Sequence, residues 1–283
     1  MARETNVIEL DPEAVAARAA AVAQETDDEI LARLNERFQI LEDMTLAVKR
    51  GSVRSMIVSG PPGTGKSHGV EQVLSRDDLF NTLAQRRPKY EIVKGATSSV
   101  GLYAKLFEYA APGHVLVFDD CDTILMEEES LNTLKGALDS GERRYISWNK
   151  DSRLLRTQGV PDRFEFSGSV IFITNIKFDF VRSKKLRDHL MALESRSHYI
   201  DLQMDTTREK ILRIRQIVAQ GMLSRYLFEQ DQEAQIIDFI VEHQERLSEL
   251  SLRMVLKIAD LRREFPDTWR NMARTTCMSR QRP

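Results

Sequence analysis

The densest chemistry in the chain lies in Gly60-Pro61-Pro62-Gly63-Thr64-Gly65-Lys66-Ser67, with His68 following and a short apolar run before it. The spacing G-x-x-x-x-G-K-S suits a chain of phosphates. Its glycines permit backbone angles that a side chain forbids, so that N–H groups can converge on an anion. Lys66 brings a compact positive charge to the β- and γ-phosphates, and the Ser67 hydroxyl can ligate Mg²⁺. A helix opening here would turn its positive end toward the same phosphates. The residues from Gly60 to His68 therefore make a candidate ATP site.

A metal on a triphosphate needs a carboxylate from a neighbouring strand tip. Asp119 meets that need at the end of Val115-Leu-Val-Phe118, and Asp120 beside it can orient an attacking water or accept its proton. Asn175 ends another apolar run, Val170-Ile-Phe-Ile-Thr174, where a polar tip can hold the water or the γ-phosphate. Glu127, Glu128 and Glu129 suit a solvated helix start instead.

The elements that must carry these residues alternate. Short strands are expected at 55–59, 89–94, 114–119, 170–174 and 198–202, separated by helical patterns, which implies a parallel five-stranded sheet with flanking helices. A helix with Ile30, Leu34, Phe38 and Leu41 at helical spacing precedes it. From Thr206 onward only helices are expected. Thr206-x-x-Glu209 reads as a capping box, and Ser251 opens a later helix. The division is an N-terminal helical arm at 1–26, an α/β nucleotide-binding domain at 27–204 and a small all-helical lid at 205–283.

Bulk composition agrees with a helix-rich globular protein: 283 residues, 42% hydrophobic and 30% charged. A formal net charge of −2 leaves no molecule-wide basic field, so any nucleic-acid contact must be local. Two cysteines cannot frame a disulfide scaffold. No run is long enough for a bilayer span and the first residues lack a signal-peptide pattern, so a cytoplasmic protein without membrane contact is expected.

Taken in order, these motifs resemble the AAA+ ATPases. Gly60 to Ser67 resembles the family's Walker A and Phe118-Asp119-Asp120-Cys121-Asp122 its Walker B, with Asp120 where Glu is usual. Asn175 looks like sensor 1. Leu193-Glu-Ser195-Arg196 resembles the Ser-Arg segment of clamp-loader-like members, which implies Arg196 as an arginine finger reaching a neighbouring subunit's γ-phosphate. Leu250-Ser251-Leu252-Arg253 resembles sensor 2, which implies Arg253 at the nucleotide. The resemblance spans roughly residues 35–263 and implies ATP hydrolysis with Mg²⁺ in a homo-oligomeric ring, most often a hexamer. Residues 130–148 also look like AAA+ proteins of bacteriophages, which would put the chain in the host cytoplasm.

The substrate stays open between classes. Residues 142–167 carry six basic and four acidic side chains with Tyr145 and Trp148, a composition able to track nucleic acid by charge and stacking. The same stretch also suits a ribbon packed on its own domain. The small polar residues 95–101 suit phosphate contacts. A DNA-linked loader or motor in replication or recombination is the first expectation. The alternatives are a MoxR-like chaperone acting on a protein partner, or a nucleotide-gated assembly switch with weak hydrolysis.

Overall fold

The computed structural model describes Ala20, Val22 and residues 24–279, apart from Lys177, Asp179, Phe180, Arg182 and the side chain of Thr82. The expected N-terminal arm lies mostly outside the described residues. Contacts group the chain into two units. One holds residues 37–60 and 66–203; the other holds the described residues up to 36, residues 61–65 and those from 204 onward.

The first unit is built on five parallel strands. In chain order its elements are the end of α1 (Asp27–Lys49), β1 (Ser55–Ser59), α2 (Lys66–Asp77), α3 (Leu79–Leu83), β2 (Tyr90–Lys94), α4 (Ser99–Glu108) and β3 (Val115–Asp119). There follow α5 (Asp122–Met126), α6 (Glu128–Ala137), β4 (Tyr145–Ser147), α7 (Arg153–Thr157), β5 (Arg163–Glu165), β6 (Ser169–Thr174), α8 (Lys184–Glu194) and β7 (His198–Asp201). The sheet order is β2-β3-β6-β1-β7, all five strands parallel. Every residue of β1, β3 and β6 is buried, which is why their sequences read as apolar runs without alternation. Phe118 and Phe172 stack at 5.7 Å between neighbouring strands, and Leu102, Leu106, Leu131, Leu134 and Leu190 cover them from the helices.

Parallel register decides what meets at the carboxyl edge. Lys94 pairs with Asp119, Asp119 with Ile173, and Ser59 with Thr174, so the carboxyl ends of β2, β3, β6 and β1 emerge side by side. That edge is where open α/β sheets assemble their sites.

One helix start falls earlier than the apolar pattern suggests, because a polar cap extends it. Ser98 accepts the Gly101 amide and opens α4 at Ser99, so only 95–98 remain loop and Gly101 lies inside the helix. Residues 142–167 form the antiparallel pair β4–β5 with α7 between.

The second unit is helical: the start of α1, then α9 (Thr207–Ala219), α10 (Gln230–Glu242), α11 (Leu252–Glu264) and α12 (Trp269–Thr276). Ile214, Ile236, Phe239, Val255, Ile258 and Trp269 form its core. The capping box is present, the Thr206 hydroxyl accepting from the Glu209 amide while the Glu209 carboxylate accepts from the Thr206 amide at 3.0 Å. Glu209 is fully buried and answered by Arg33 of α1 at 3.1 Å. No helix among the described residues is long and apolar enough to cross a membrane.

Candidate functional site

Lys66, the first residue of α2, is 5% exposed, and its ammonium donates to the Gly60 carbonyl at 2.7 Å and to Asn175 Oδ1 at 2.9 Å. The other end of the same amide, Asn175 Nδ2, donates to Asp120 Oδ1 at 3.0 Å. Asn175 thus links the lysine to the second acid, and its two bonds fix which way the amide faces. One residue along α2, the Ser67 hydroxyl donates to Asp119 Oδ1 at 2.7 Å. Five of the expected residues, Lys66, Ser67, Asp119, Asp120 and Asn175, therefore converge from two strand tips and one helix start. His68 is exposed on the next position of the helix.

Asp120 sits at φ +52°, a left-handed conformation that aspartate tolerates better than most side chains. Its amide is tied to the Ile173 carbonyl at 3.0 Å, so the turn is held rather than loose. An exposed acid in a strained turn beside a buried lysine is the kind of group a reaction uses. Gly60 is glycine for space, since a Cβ there would lie 2.9 Å from the Leu202 carbonyl oxygen.

Two supporting groups were not picked out from the sequence. Lys94 lies 3.4 Å from Asp119 Oδ2, a partnership created by the β2–β3 register. Asp122 accepts from the Thr174 hydroxyl at 2.8 Å, and that hydroxyl in turn accepts the Ile176 amide, bracing the turn that presents Asn175. Burial pushes the Asp122 carboxyl up, against the Thr174 hydrogen bond. A basic tip and a third acid after β3 were visible signals, but their roles depend on strand order.

Within the second unit, Pro61–Gly65 lie against the start of α11. The Leu252 amide donates to the Gly63 carbonyl at 2.9 Å, and the Thr64 hydroxyl to the Pro61 carbonyl at 3.1 Å. Gly63 has φ +70° and Gly65 φ +101°. A Cβ on Gly63 would meet the Ser251 Cβ at 2.6 Å, so both backbone angle and space demand glycine. Ser251 caps α11 by accepting the Met254 amide at 3.2 Å, and Arg253 is exposed on the first turn.

Arg196 is elsewhere. It precedes β7, donates to the Ala192 carbonyl at 2.6 Å and lines a cavity of about 550 Å³ with Ser52, Arg54, Ser55, Asp139 and His198. Ser55 starts β1 and Gly60 follows its end, so this cavity is at the opposite edge of the sheet from Lys66, about 15 Å of strand away.

The ribbon presents less charge than its sequence suggests. Arg144 is 7% exposed, donates to the Ala137 and Gly168 carbonyls, and has its pKa pushed down to about 10 by burial and then by the charge of Arg54. Trp148 is buried against Tyr103. Arg143 pairs with Glu165, Lys150 with Glu129 and Arg156 with Asp151. Tyr145 stays exposed with the Arg143 and Arg163 guanidinium groups 5.9 and 4.6 Å from its ring centre.

The donor set fits Mg²⁺ with ATP. A hydroxyl and a carboxylate side by side are hard oxygen ligands, and this cation commonly takes few protein ligands and completes its shell with phosphate and water.

No family model matches the chain. It is similar to the replication initiator DnaA bound to AMPPCP and single-stranded DNA, at 13% identity and TM-score 0.45 over 83% of this chain and 63% of that one, so it spans less than two thirds of that neighbour's length. It is likewise similar to domain III of the Thermotoga maritima replication initiation protein DnaA, at 12% identity and TM-score 0.43 over 81% and 84% of the two chains. NtrX from Brucella abortus in complex with ATP matches at 14% identity and TM-score 0.44 over 87% of this chain and 52% of its own. A sequence relative is much nearer: a protein of Enterobacteria phage T4, described as an uncharacterized 36.7 kDa protein in the nrdC-mobD intergenic region, is 31% identical over 253 residues, 88% of this chain and 76% of the relative. The chain belongs to the family of that phage T4 protein.

Proposed function

We propose that the chain is an AAA+-type ATPase whose hydrolytic site is completed by a second copy of itself. The observation that carries the proposal is the linked pair of contacts at the carboxyl edge: Lys66–Asn175–Asp120 on one side and Ser67–Asp119 on the other. Lys66 neutralises the β- and γ-phosphate oxygens, while Gly60 to Ser67 supply amide donors to the phosphate chain. Ser67 and Asp119 hold Mg²⁺, which when bound withdraws charge from the phosphates. Asp120, held by Asn175, orients a water and takes its proton as the water oxygen bonds the γ-phosphorus and ADP departs. Arg253 reaches the nucleotide from the first turn of α11.

Arg196 cannot serve its own copy's phosphates from the far edge of the sheet, so it acts in trans. A planar, permanently charged guanidinium suits that role better than lysine. A homo-oligomer, most simply a hexameric ring in the host cytoplasm, is the working form.

The work done is DNA-linked. The exposed Tyr145 between Arg143 and Arg163 offers a base-stacking platform with flanking charge, and the exposed loop residues 95, 96 and 98 offer small groups for phosphate contact. The test is phosphate release with Mg²⁺ and ATP, with and without single- and double-stranded DNA, alongside the particle mass with an ATP analogue. Stimulation by single-stranded DNA, lost when Tyr145→Ala is combined with Arg163→Ala, is expected. ATPase activity indifferent to DNA would favour a protein-remodelling role, and no activity under any condition would remove the ATPase proposal.

A further inference from the structure

Two exposed apolar features on this chain have complementary rims. In the first unit, α3 turns Leu79, Phe80 and Leu83 outward, with exposures of 51, 85 and 71%. The spacing i, i+1, i+4 puts all three on one side of a single turn. Around them the chain is basic: Arg76, Arg86 and Lys89 are exposed, the Arg86 amide is tied back to Asn81, and the nearby acids Asp77 and Glu108 are fewer. Glu108 already answers Arg87.

In the second unit, Leu227 is 90% exposed and stands at φ 55°, ψ 38° after a 3-10 turn. Left-handed geometry is unfavourable for a leucine, and that position ordinarily belongs to glycine or asparagine. The knob is rigid, because the flanking Tyr226 and Phe228 rings stack at 5.2 Å and the Tyr226 hydroxyl donates to Asp260. Glu229 at the N-cap and Asp231 and Glu233 in the first turn of α10 follow at once, while the Arg225 and Arg263 guanidinium groups lie 4.9 and 5.2 Å from the Tyr226 ring centre.

We propose that Leu227 of one copy docks into the Leu79–Phe80–Leu83 patch of the next, with Asp231 and its neighbours against Arg86 and Lys89. Because the two surfaces differ, the contact is head-to-tail and repeats into a ring or an open spiral. Docking buries an aromatic anchor and the strained leucine together, and the charged rims set its direction. It shares with the trans role of Arg196 only the requirement for head-to-tail assembly.

The test begins with sedimentation of the full chain with a non-hydrolysable ATP analogue. Phe80→Glu and Leu227→Glu should each raise the dissociation constant at least about thirtyfold, the loss typical of a central anchor. Both should keep the affinity for a fluorescent ATP analogue, which reports that they fold. Arg86→Glu and Asp231→Lys should each weaken assembly, and the two together should restore it. Mixing a Phe80→Cys copy with a Leu227→Cys copy should give a disulfide-linked dimer, with the native Cys121 and Cys277 buried and silent. Cross-linking no greater than for Met191→Cys mixed with Leu227→Cys, a bond confined to one chain, or dispersal of the assembly by single-stranded DNA competing for the basic rim would each overturn the proposal. If Lys66→Ala and Arg196→Ala copies still complement one another in that case, only this docking fails. If they do not complement but the cross-link forms, the docking stands and the trans arginine fails.

Discussion

Asp120 can be varied so that its structural and chemical roles separate. Replacing it with alanine removes the bond from Asn175 Nδ2 and forces a β-carbon without a polar tip to stay at φ +52°. An exposed hydrogen bond of this kind is worth about 0.5–1.5 kcal/mol and left-handed geometry about 1 kcal/mol, so Asp120→Ala should destabilise by about 1.5–2.5 kcal/mol. Asp120→Asn keeps an oxygen for Asn175 and tolerates the left-handed turn, so it should unfold within about 0.5 kcal/mol of the parent. Asp120→Gly loses the bond but gains the turn, and should also be nearly neutral. If Asp120 takes the proton of the attacking water, all three should lose about 10²–10⁴-fold in phosphate release. Binding of a fluorescent ATP analogue should be unchanged in each. Urea unfolding, nucleotide titration and single-turnover phosphate release on the same three preparations decide the matter. Full hydrolysis in Asp120→Asn, or activity that follows stability from asparagine and glycine down to alanine, would show that the residue only shapes the turn.

Two more predictions concern the helical unit and one glycine control. Gly63→Ala should lose about 2–3 kcal/mol, combining left-handed strain with a Cβ driven into Ser251, and should weaken ATP binding at least tenfold. Gly95→Ala, at φ +87° with nothing within 4 Å, should show only the strain of about 1 kcal/mol and bind ATP normally; both are read by urea unfolding and nucleotide titration. For Glu209, burial alone would push the carboxyl up, but the Thr206 amide, the Thr206 hydroxyl and Arg33 bring it below its ordinary 4.5. The unfolded chain then binds the proton first, so this contribution is complete above about pH 4.5 and is lost as pH falls through the lower folded value. Glu209→Gln should flatten the acid limb of stability against pH and cost about 2 kcal/mol near neutrality, measured by thermal unfolding across pH 3–7.

The sheet was legible because strands buried on both faces are apolar without interruption, as in Met56-Ile-Val58, Val115-Leu-Val-Phe118 and Val170-Ile-Phe-Ile173. The site followed from it, since its residues stand at strand tips and at one helix start. Lys94 escaped because its partnership with Asp119 is a matter of which strands are neighbours, a relation between positions 25 residues apart that no local pattern records. Residues 142–167 stayed open between two readings for a different reason. A basic, aromatic segment has the same composition whether its side chains face solvent or pack inward, and only packing reveals that Arg144 ties two carbonyls together while Trp148 lies against Tyr103. The reach of Arg196 was equally invisible, because distance from the phosphate loop is set by the length and direction of β1 and β7.

The most direct measurement is phosphate release from mixtures of two inactive variants. Lys66→Ala removes nucleotide binding but leaves a competent Arg196, whereas Arg196→Ala binds nucleotide and lacks the arginine. If the site is completed by a neighbouring copy, mixing should restore activity, rising to a maximum at intermediate ratios where the two kinds of copy adjoin most often. Activity absent at every ratio, with mixed assemblies verified by mass, would contradict a site shared between copies.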